Sequence, residues 1–440
     1  MKKDQIGKII RAEFPNRTVA DVDGREIKLK GGLLGQTVRL HQSNRKKGKL
    51  LEVLERGPME EAAHCPRADI CGGCTYQTLS YDKEVVYKGA LLKQLYQKEL
   101  GMDLELIPSP MSQAYRNKME YTFSDAYKDG PLSLGLHQKN RFYDVVDTEG
   151  CNIIHEDFNT LRSFTRDYFD GVLKPYHKRL HTGVLRHLLI RRSGIGEIVL
   201  SLVTANSDYD FTDYFEQLKT LPLEGVLVGA TQTINNSFSD AIVPEDVIIH
   251  FGRDYIEESL LGLTFKVSLF SFFQTNSASA AVLYTMAADM LGSMEGKTLV
   301  DLYSGTGTIT QILGRHATTA LGIEIVEEAV EAARENAKAN GLDQVRFIAG
   351  DVAEVIKEED IHADVIVLDP PREGINPKAI ERIISFAPTQ FLYISCNPIT
   401  QVRDLHVFLD KGYHVDKLVA LDQFPRTVHV ECIALLTKIN

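Results

Sequence analysis

From about Ser271 to the C-terminus the sequence repeats one pattern: a short apolar run, an acidic or turn-forming residue, then a stretch with helical spacing. Thr298–Leu302 reads as a strand and Ile309–Arg315 begins a helix. A second strand ends at Glu324, and Val326–Asn340 is a helix closed by Gly341. Three further strand runs end at Asp351, Asp369 and Ser395. Strands alternating with helices imply a doubly wound α/β sheet, because parallel neighbours need a long crossover between them. Residues just past the strand C-termini of such a sheet face a ligand crevice.

What stands at those strand ends points to a cofactor. Asp301-Leu-Tyr-Ser-Gly-Thr-Gly-Thr308 joins the first strand to its helix, and its glycines let a ligand approach the backbone. The third glycine of the dinucleotide fingerprint is missing, which disfavours a pyrophosphate-bearing cofactor. Glu324, at the end of the second strand, is placed to accept ribose hydroxyls, and Asp351 to reach an adenine amine. Gly-x-Gly, an acid, a second acid and Asp369-Pro-Pro371 follow the serial layout of an S-adenosylmethionine site.

Two residues specify the chemistry. Asp-Pro-Pro followed by tyrosine would suggest methylation of an exocyclic amine, but here Arg372 follows, and Cys396 in Ser395-Cys-Asn-Pro398 supplies a nucleophile that amine methylation does not need. Uracil C5 becomes nucleophilic only after something adds at C6, and a thiolate does this. A base must then remove the C5 proton so that the cysteine can leave. Glu431, which follows the loop Phe424-Pro-Arg-Thr427, is the candidate; His429 and Cys432 beside it read as packing residues.

Ahead of this domain the chain is organised differently. Residues 6–54 show short alternating strands with an Asp23-Gly24 hairpin turn, the spacing of a five-stranded barrel of the OB type, and Gly57-Pro58 marks its end. Residues 1–56 carry 14 Lys+Arg against 7 Asp+Glu in a chain of net charge −11, and Arg45-Lys-Lys-Gly-Lys49 forms one basic run. A basic module on an acidic body is the footprint of a polyanion-binding protein, with Lys46, Lys47 and Lys49 as its RNA contacts. A helix is expected from Tyr81 to Leu100, and residues 112–270 read as a strand-rich α+β region with helices near Asp157–Phe169 and Phe211–Leu218. The domains expected are 1–57, 58–270 and 271–440. The N-terminus does not read as a signal peptide, and no apolar stretch approaches the roughly 20 residues of a membrane helix. A cytoplasmic monomer with no membrane partner is therefore expected.

Four of the six cysteines form a spaced set: Cys65, Cys71, Cys74 and, far downstream, Cys151. Four thiolates in a reducing compartment imply a metal. A zinc ion and a [4Fe–4S] cluster both suit them; the single Cys-x-x-Cys knuckle, where structural zinc sites usually have two, leans toward iron–sulfur.

Taken together, nearly the whole chain resembles the bacterial RNA (uracil-5-)-methyltransferases, specifically the iron–sulfur branch that acts on 23S ribosomal RNA. The resemblance implies that residues 1–56 form a TRAM domain and that Cys65, Cys71, Cys74 and Cys151 hold a [4Fe–4S] cluster. It implies that Phe272-Phe-Gln-Thr-Asn276 brings Gln274 to S-adenosylmethionine, with Tyr303, Glu324, Asp351 and Asp369 also lining the cofactor. Cys396 would be the nucleophile and Glu431 the base. Tyr115-Arg-Asn-Lys118 resembles a segment on the RNA-facing side, which adds Arg116 and Lys118 to the RNA contacts. Thr308 departs from the asparagine that some members carry in the glycine turn. Two other readings remain: the same chemistry on the T-loop uridine of transfer RNA, and an RNA-binding assembly factor with vestigial catalysis.

Overall fold

The computed structural model describes residues 4–352, 354, 355 and 362–439. The chain divides into two compact units interleaved in sequence. One holds residues 1–64, 74–109 and 362–440, and the other residues 65–73 and 110–361.

The first unit begins with five antiparallel strands, Asp4–Glu13, Arg17–Val22, Arg25–Lys30, Thr37–Gln42 and Gly48–Glu55, in the order third, second, first, fourth, fifth. Asp23 and Gly24 both take positive φ (51° and 77°), as the tight hairpin turn requires. Alternation along the strands puts Ile9, Val22, Ile27, Leu29, Val38 and Leu40 in one apolar core. The outermost strands are drawn together, since the Lys28 N–H donates to the Lys46 carbonyl at 2.8 Å. The helix Tyr81–Leu100 has the expected bounds and is closed by Gly101 at φ 68°.

The same unit contains a sheet in the order Val365–Leu368, Gln390–Ser395, Glu431–Lys438, Tyr413–Leu421, Glu105–Ile107. Its first two strands are parallel, joined through the helix Pro377–Ser385. Glu431–Lys438 then runs antiparallel to both of its neighbours. Here the structure departs from a wholly parallel sheet, and the reason is local: residues 422–430 contain no crossover helix, so the strand after them must turn back on Tyr413–Leu421. The 422–430 loop joins two interior strands, because the short parallel strand Glu105–Ile107 pairs outside Tyr413–Leu421.

The second unit has a seven-stranded sheet in the order Asp246–Gly252, Val226–Ile234, Glu197–Thr204, Leu185–Arg192, Lys118–Asp125, Leu132–Gln138, Arg141–Asp147. The helices Glu156–Phe169 and Thr212–Leu218 fall where the sequence places them. Three parallel strands, Thr298–Leu302, Thr319–Glu324 and Val345–Ala349, alternate with the helices Thr308–Gly314 and Glu327–Ala339. The third strand stops at Ala349, so Asp351 stands two residues past its end. Among the described residues, no helix is long and apolar enough to cross a membrane.

Candidate active site

In the first unit, Cys396 and Glu431 reach one end of the same sheet by strand register. Ser395, the last residue of its strand, pairs with Cys432, so Cys396 and Glu431 lie one step beyond and one step before a matched pair. Tight turns fix the flanking residues. Asn397 caps the helix Pro398–Asp410, its side chain accepting from the Ile399 N–H at 3.2 Å, and Pro398 occupies the first turn, where a missing N–H costs nothing. The Asn397 amide also donates to the Arg372 carbonyl at 2.8 Å, and the Thr400 hydroxyl donates to the same oxygen at 3.2 Å. These bonds tie the loop after Asp369-Pro-Pro to the cysteine turn. Gly374, at φ 76°, completes that loop: a Cβ there would sit 2.6 Å from the Arg403 guanidinium.

The electrostatics of this cluster are unusual. Burial pushes the Cys396 thiol up to about 11, Glu431 and Asp369 push in the same direction, and a hydrogen bond and positive charge from Arg372 oppose them. Glu431 is only 3% exposed, and its carboxyl is held well above the usual range by burial and then by Asp369, again with Arg372 opposing. Burial carries Asp369 to about 7. Two carboxyls so placed resist ionising together. The arrangement therefore contains a thiol, a protonatable carboxyl pair and one cation, the parts needed for nucleophilic addition followed by proton removal. Arg372 was visible in the sequence only as the residue following the two prolines.

The loop leading to Glu431 is itself anchored in charge. The Lys88 ammonium, 1% exposed, meets Asp422 at 2.5 Å and Glu84 at 3.4 Å. Glu84 also accepts from the Arg426 backbone N–H at 2.6 Å, while the Arg426 guanidinium donates to the Leu79 carbonyl at 2.7 Å. Arg426 adopts φ 70°, outside the region a side chain prefers, and these bonds hold it there.

The second unit carries the glycine turn. Tyr303, Gly305 and Gly307 all have positive φ, and a Cβ at Gly307 would lie 2.5 Å from the Phe347 ring. The Glu324 carboxylate accepts from the backbone N–H groups of Gly305 at 3.0 Å, Ile325 at 2.9 Å and Val326 at 3.1 Å. Glu324 thus braces the turn against the next strand. Of about four lone-pair sites on a carboxylate, three are used. Asp351 is exposed and accepts from the Glu354 N–H at 3.3 Å. Asp301, fully buried, accepts from the Thr310 hydroxyl at 2.5 Å, so its role is to pin the following helix.

Gln274 is buried at 8% exposure, and its segment is held by Asn117, to which the sequence assigned no role of its own. Asn117 donates through its side chain to the Gln274 carbonyl at 3.0 Å and the Ser277 hydroxyl at 2.9 Å, and through its backbone N–H to the Thr275 carbonyl at 2.9 Å. Ser277 in turn donates to Glu258 at 2.7 Å, and Arg191, 1% exposed, donates to the Ser271 carbonyl at 2.6 Å. Asn117 therefore works inward, on the 271–277 segment. The segment was conspicuous in the sequence, but pairing Asn117 with Gln274 needs a contact across 157 positions.

The remaining expected residues fall as follows. Lys46, Lys47 and Lys49 are exposed, the first two in a turn held by the Asn44 side chain and Lys49 at the start of the fifth strand. Arg116 and Lys118 are half-buried; burial, with Arg191 paired directly opposite, lowers the Lys118 ammonium to about 8. In the second unit, burial raises both Cys71 and Cys151, the latter to about 11; the Cys65 thiol adds to each, and Cys71 to Cys151. Gly72 has no room for a Cβ, which would lie 2.8 Å from the His137 carbonyl, and the Gly73 N–H donates to Cys71 Sγ at 3.4 Å. Cys74, in the first unit, accepts from the Gln77 side chain at 3.4 Å. Among the described residues, no three His, Cys, Asp or Glu side chains converge as a metal-ligand set. Raised, protonated thiols suit a metal only once its charge removes their protons.

Comparison with known proteins adds the following. The family model described as tRNA (Uracil-5-)-methyltransferase matches residues 244–439. An uncharacterized RNA methyltransferase of Caldanaerobacter subterraneus subsp. tengcongensis is 44% identical, with 98% of each chain covered. Another, from Clostridium tetani, is 42% identical over 97% of this chain and 96% of its own. Among solved structures, the Pyrococcus abyssi tRNA (uracil-54, C5)-methyltransferase in complex with S-adenosyl-L-homocysteine is similar, with a TM-score of 0.78 and 25% identity, covering 98% of this chain and 100% of its own.

Proposed function

The chain belongs to the RNA (uracil-5-)-methyltransferase family and is an S-adenosylmethionine-dependent RNA methyltransferase; on that premise we propose that it methylates uracil C5 in 23S ribosomal RNA through Cys396 and Glu431. The observation that carries this reading is the cluster of Cys396, Glu431, Asp369 and Arg372 at one sheet end, with the thiol and both carboxyls displaced upward.

The Cys396 thiolate adds to uracil C6, forming the C–S bond and moving an electron pair toward C5. Arg372, the cation that opposes the carboxyls at the thiol, favours the anion from which this addition begins. When bound, S-adenosylmethionine would supply the electrophilic methyl group that C5 takes, its S–CH3 bond breaking to leave S-adenosylhomocysteine. Glu431 then takes the C5 proton; the C5–C6 double bond reforms and the thiolate leaves. Burial and Asp369 both raise the proton affinity of Glu431, which strengthens it as a base once it is ionised. Gln274, Tyr303, Glu324, Asp351 and Asp369 hold the cofactor in this reading, and the 271–277 segment is preorganised by Asn117.

The first 57 residues act as a TRAM-type RNA-binding barrel with Lys46, Lys47 and Lys49 on the polyanion, residues 58–270 as the central domain with Arg116 and Lys118 toward the RNA, and residues 271–440 as the catalytic domain of a cytoplasmic monomer. On the spacing of the four cysteines in the sequence and the family resemblance alone, Cys65, Cys71, Cys74 and Cys151 are proposed to hold a [4Fe–4S] cluster; no catalytic step passes through it. A second reading places the target in the T-loop of transfer RNA, favoured by the likeness to the Pyrococcus abyssi enzyme. Mass mapping of 5-methyluridine in 23S and transfer RNA from a strain lacking the gene separates the two: loss from 23S RNA alone supports the proposal, and loss from transfer RNA alone replaces it.

A further inference from the structure

Between Asp170 and Glu197 the chain has six Lys or Arg, three His and no carboxylate, although its net charge is −11. This stretch opens with a loop closed by a bridge between His177 and Thr182 and by the Tyr176 N–H donating to the Leu185 carbonyl at 2.7 Å. The loop is locked to a second one. The Arg186 guanidinium lies over the Tyr176 ring at 4.1 Å and donates to the Ser237 and Ser239 carbonyls at 2.8 and 2.7 Å. That fixes the turn carrying Phe238. Lys178 pairs with Asp240 at 2.7 Å, and His137 and His187 face the same carboxylate.

Asp240 is thus held between the two loops, and aromatic surface is left outside. Phe238 is 75% exposed, with the His181 ring edge-on at 4.5 Å. Tyr143 is 58% exposed, with the Arg179 guanidinium 5.2 Å from its ring. Lys174 has a distant ion pair with Asp129, at 3.9 Å and largely in water, and its charge also reaches Asp125. Exposed rings beside cations are the elements of a surface that stacks bases and neutralises phosphates, and only unpaired bases offer a free face to stack.

We propose that the loops around Arg179 and Phe238 form a further RNA contact, which binds unpaired nucleotides. The proposal rests on RNA being the substrate. Phe238 and Tyr143 stack bases, and Arg179 and Lys174 contact the backbone. A duplex gains only the charge term at this surface, so it binds without help from the rings.

The test uses the full-length protein and two fluorescent probes, a short oligouridylate and an RNA duplex of equal length, read by anisotropy over a salt series. Phe238→Ala should weaken oligouridylate binding about tenfold, as loss of one stacked base does, and leave duplex binding unchanged, while Phe238→Tyr retains affinity. Arg179→Glu should reduce the magnitude of the salt slope for both probes by about one. Equal oligouridylate binding by wild type and both disruptive variants overturns the proposal. So does competition by polyglutamate as strong as that by unlabelled oligouridylate, which would assign the surface to an acidic protein. Methyl transfer from labelled S-adenosylmethionine into total RNA is measured alongside. A wild type that transfers no methyl group fails the functional reading, whereas an active wild type with unaffected variants fails only this surface.

Discussion

Replacing Arg372 with Met should raise the ionisation midpoint of Cys396 and slow its alkylation. In the free enzyme the thiol already stands near about 11, so at about pH 8 roughly one molecule in 10³ carries the thiolate. Arg372 is the opposing cation, acting through charge and a hydrogen bond. A unit charge at about 4 Å is worth ~4 kcal/mol at an effective dielectric of ~20, and an adjacent arginine typically shifts an ionisable group by about 1–3 pH units. Arg372→Met should therefore slow iodoacetamide labelling of Cys396 by roughly 10–10³-fold below the midpoint, followed by peptide mass spectrometry because five other cysteines are present. Its backbone carbonyl, which Asn397 and Thr400 grip, is untouched by the change. Glu431→Gln should act with the opposite sign, lowering the midpoint by removing a negative neighbour. A profile unmoved by Arg372→Met, or one in which both substitutions shift it the same way, would refute this electrostatic reasoning.

Three further outcomes follow from particular contacts. Asn117→Ala removes two side-chain bonds to the 271–277 segment and should weaken S-adenosylmethionine binding about tenfold by calorimetry, the two bonds together being worth ~1–3 kcal/mol; an unchanged Kd contradicts the preorganising role. Burial depresses His187 from 6.5 to about 4, so the unfolded chain binds its proton first as pH falls and stability is lost between those values, by about 3 kcal/mol in all. Denaturant melts from about pH 7 to pH 4 should show that loss, flattened in His187→Gln. Anaerobically purified protein should absorb broadly near about 400 nm and Cys71→Ser should bleach it; a colourless protein with one bound zinc would sink the iron–sulfur assignment while leaving the methyltransferase intact.

Where local rules decide a structure, the sequence was readable. The Asp23-Gly24 hairpin, the helix Tyr81–Leu100 and the positive-φ glycine turn after Thr298–Leu302 are set by residues close together in the chain. Cys396 and Glu431 were legible because each follows a strand or loop with recognisable chemistry. What escaped depends on distant partners. The pairing of Asn117 with Gln274 and the Lys88–Asp422 pair, 334 positions apart, leave no periodic trace. The three-residue strand Glu105–Ile107 is too short to show alternation and forms only by pairing with Tyr413–Leu421. Arg372 looked like a marker against amine chemistry, and its proximity to Cys396 emerges only when Asn397 binds its carbonyl.

The central claim is covalent catalysis by Cys396 with Glu431 as the base, and RNA carrying 5-fluorouridine at the target tests it most directly. Fluorine cannot leave C5 as a proton does, so methyl transfer should proceed while elimination fails, trapping an enzyme–RNA complex that survives a denaturing gel and maps to Cys396. Cys396→Ala should give no complex and no product. Glu431→Gln should accumulate a methylated covalent complex even with ordinary RNA, its turnover falling by about 10²–10⁴ as for loss of a general base. An active Cys396→Ala enzyme, or wild type that turns over fluorinated RNA without an adduct, would contradict the mechanism.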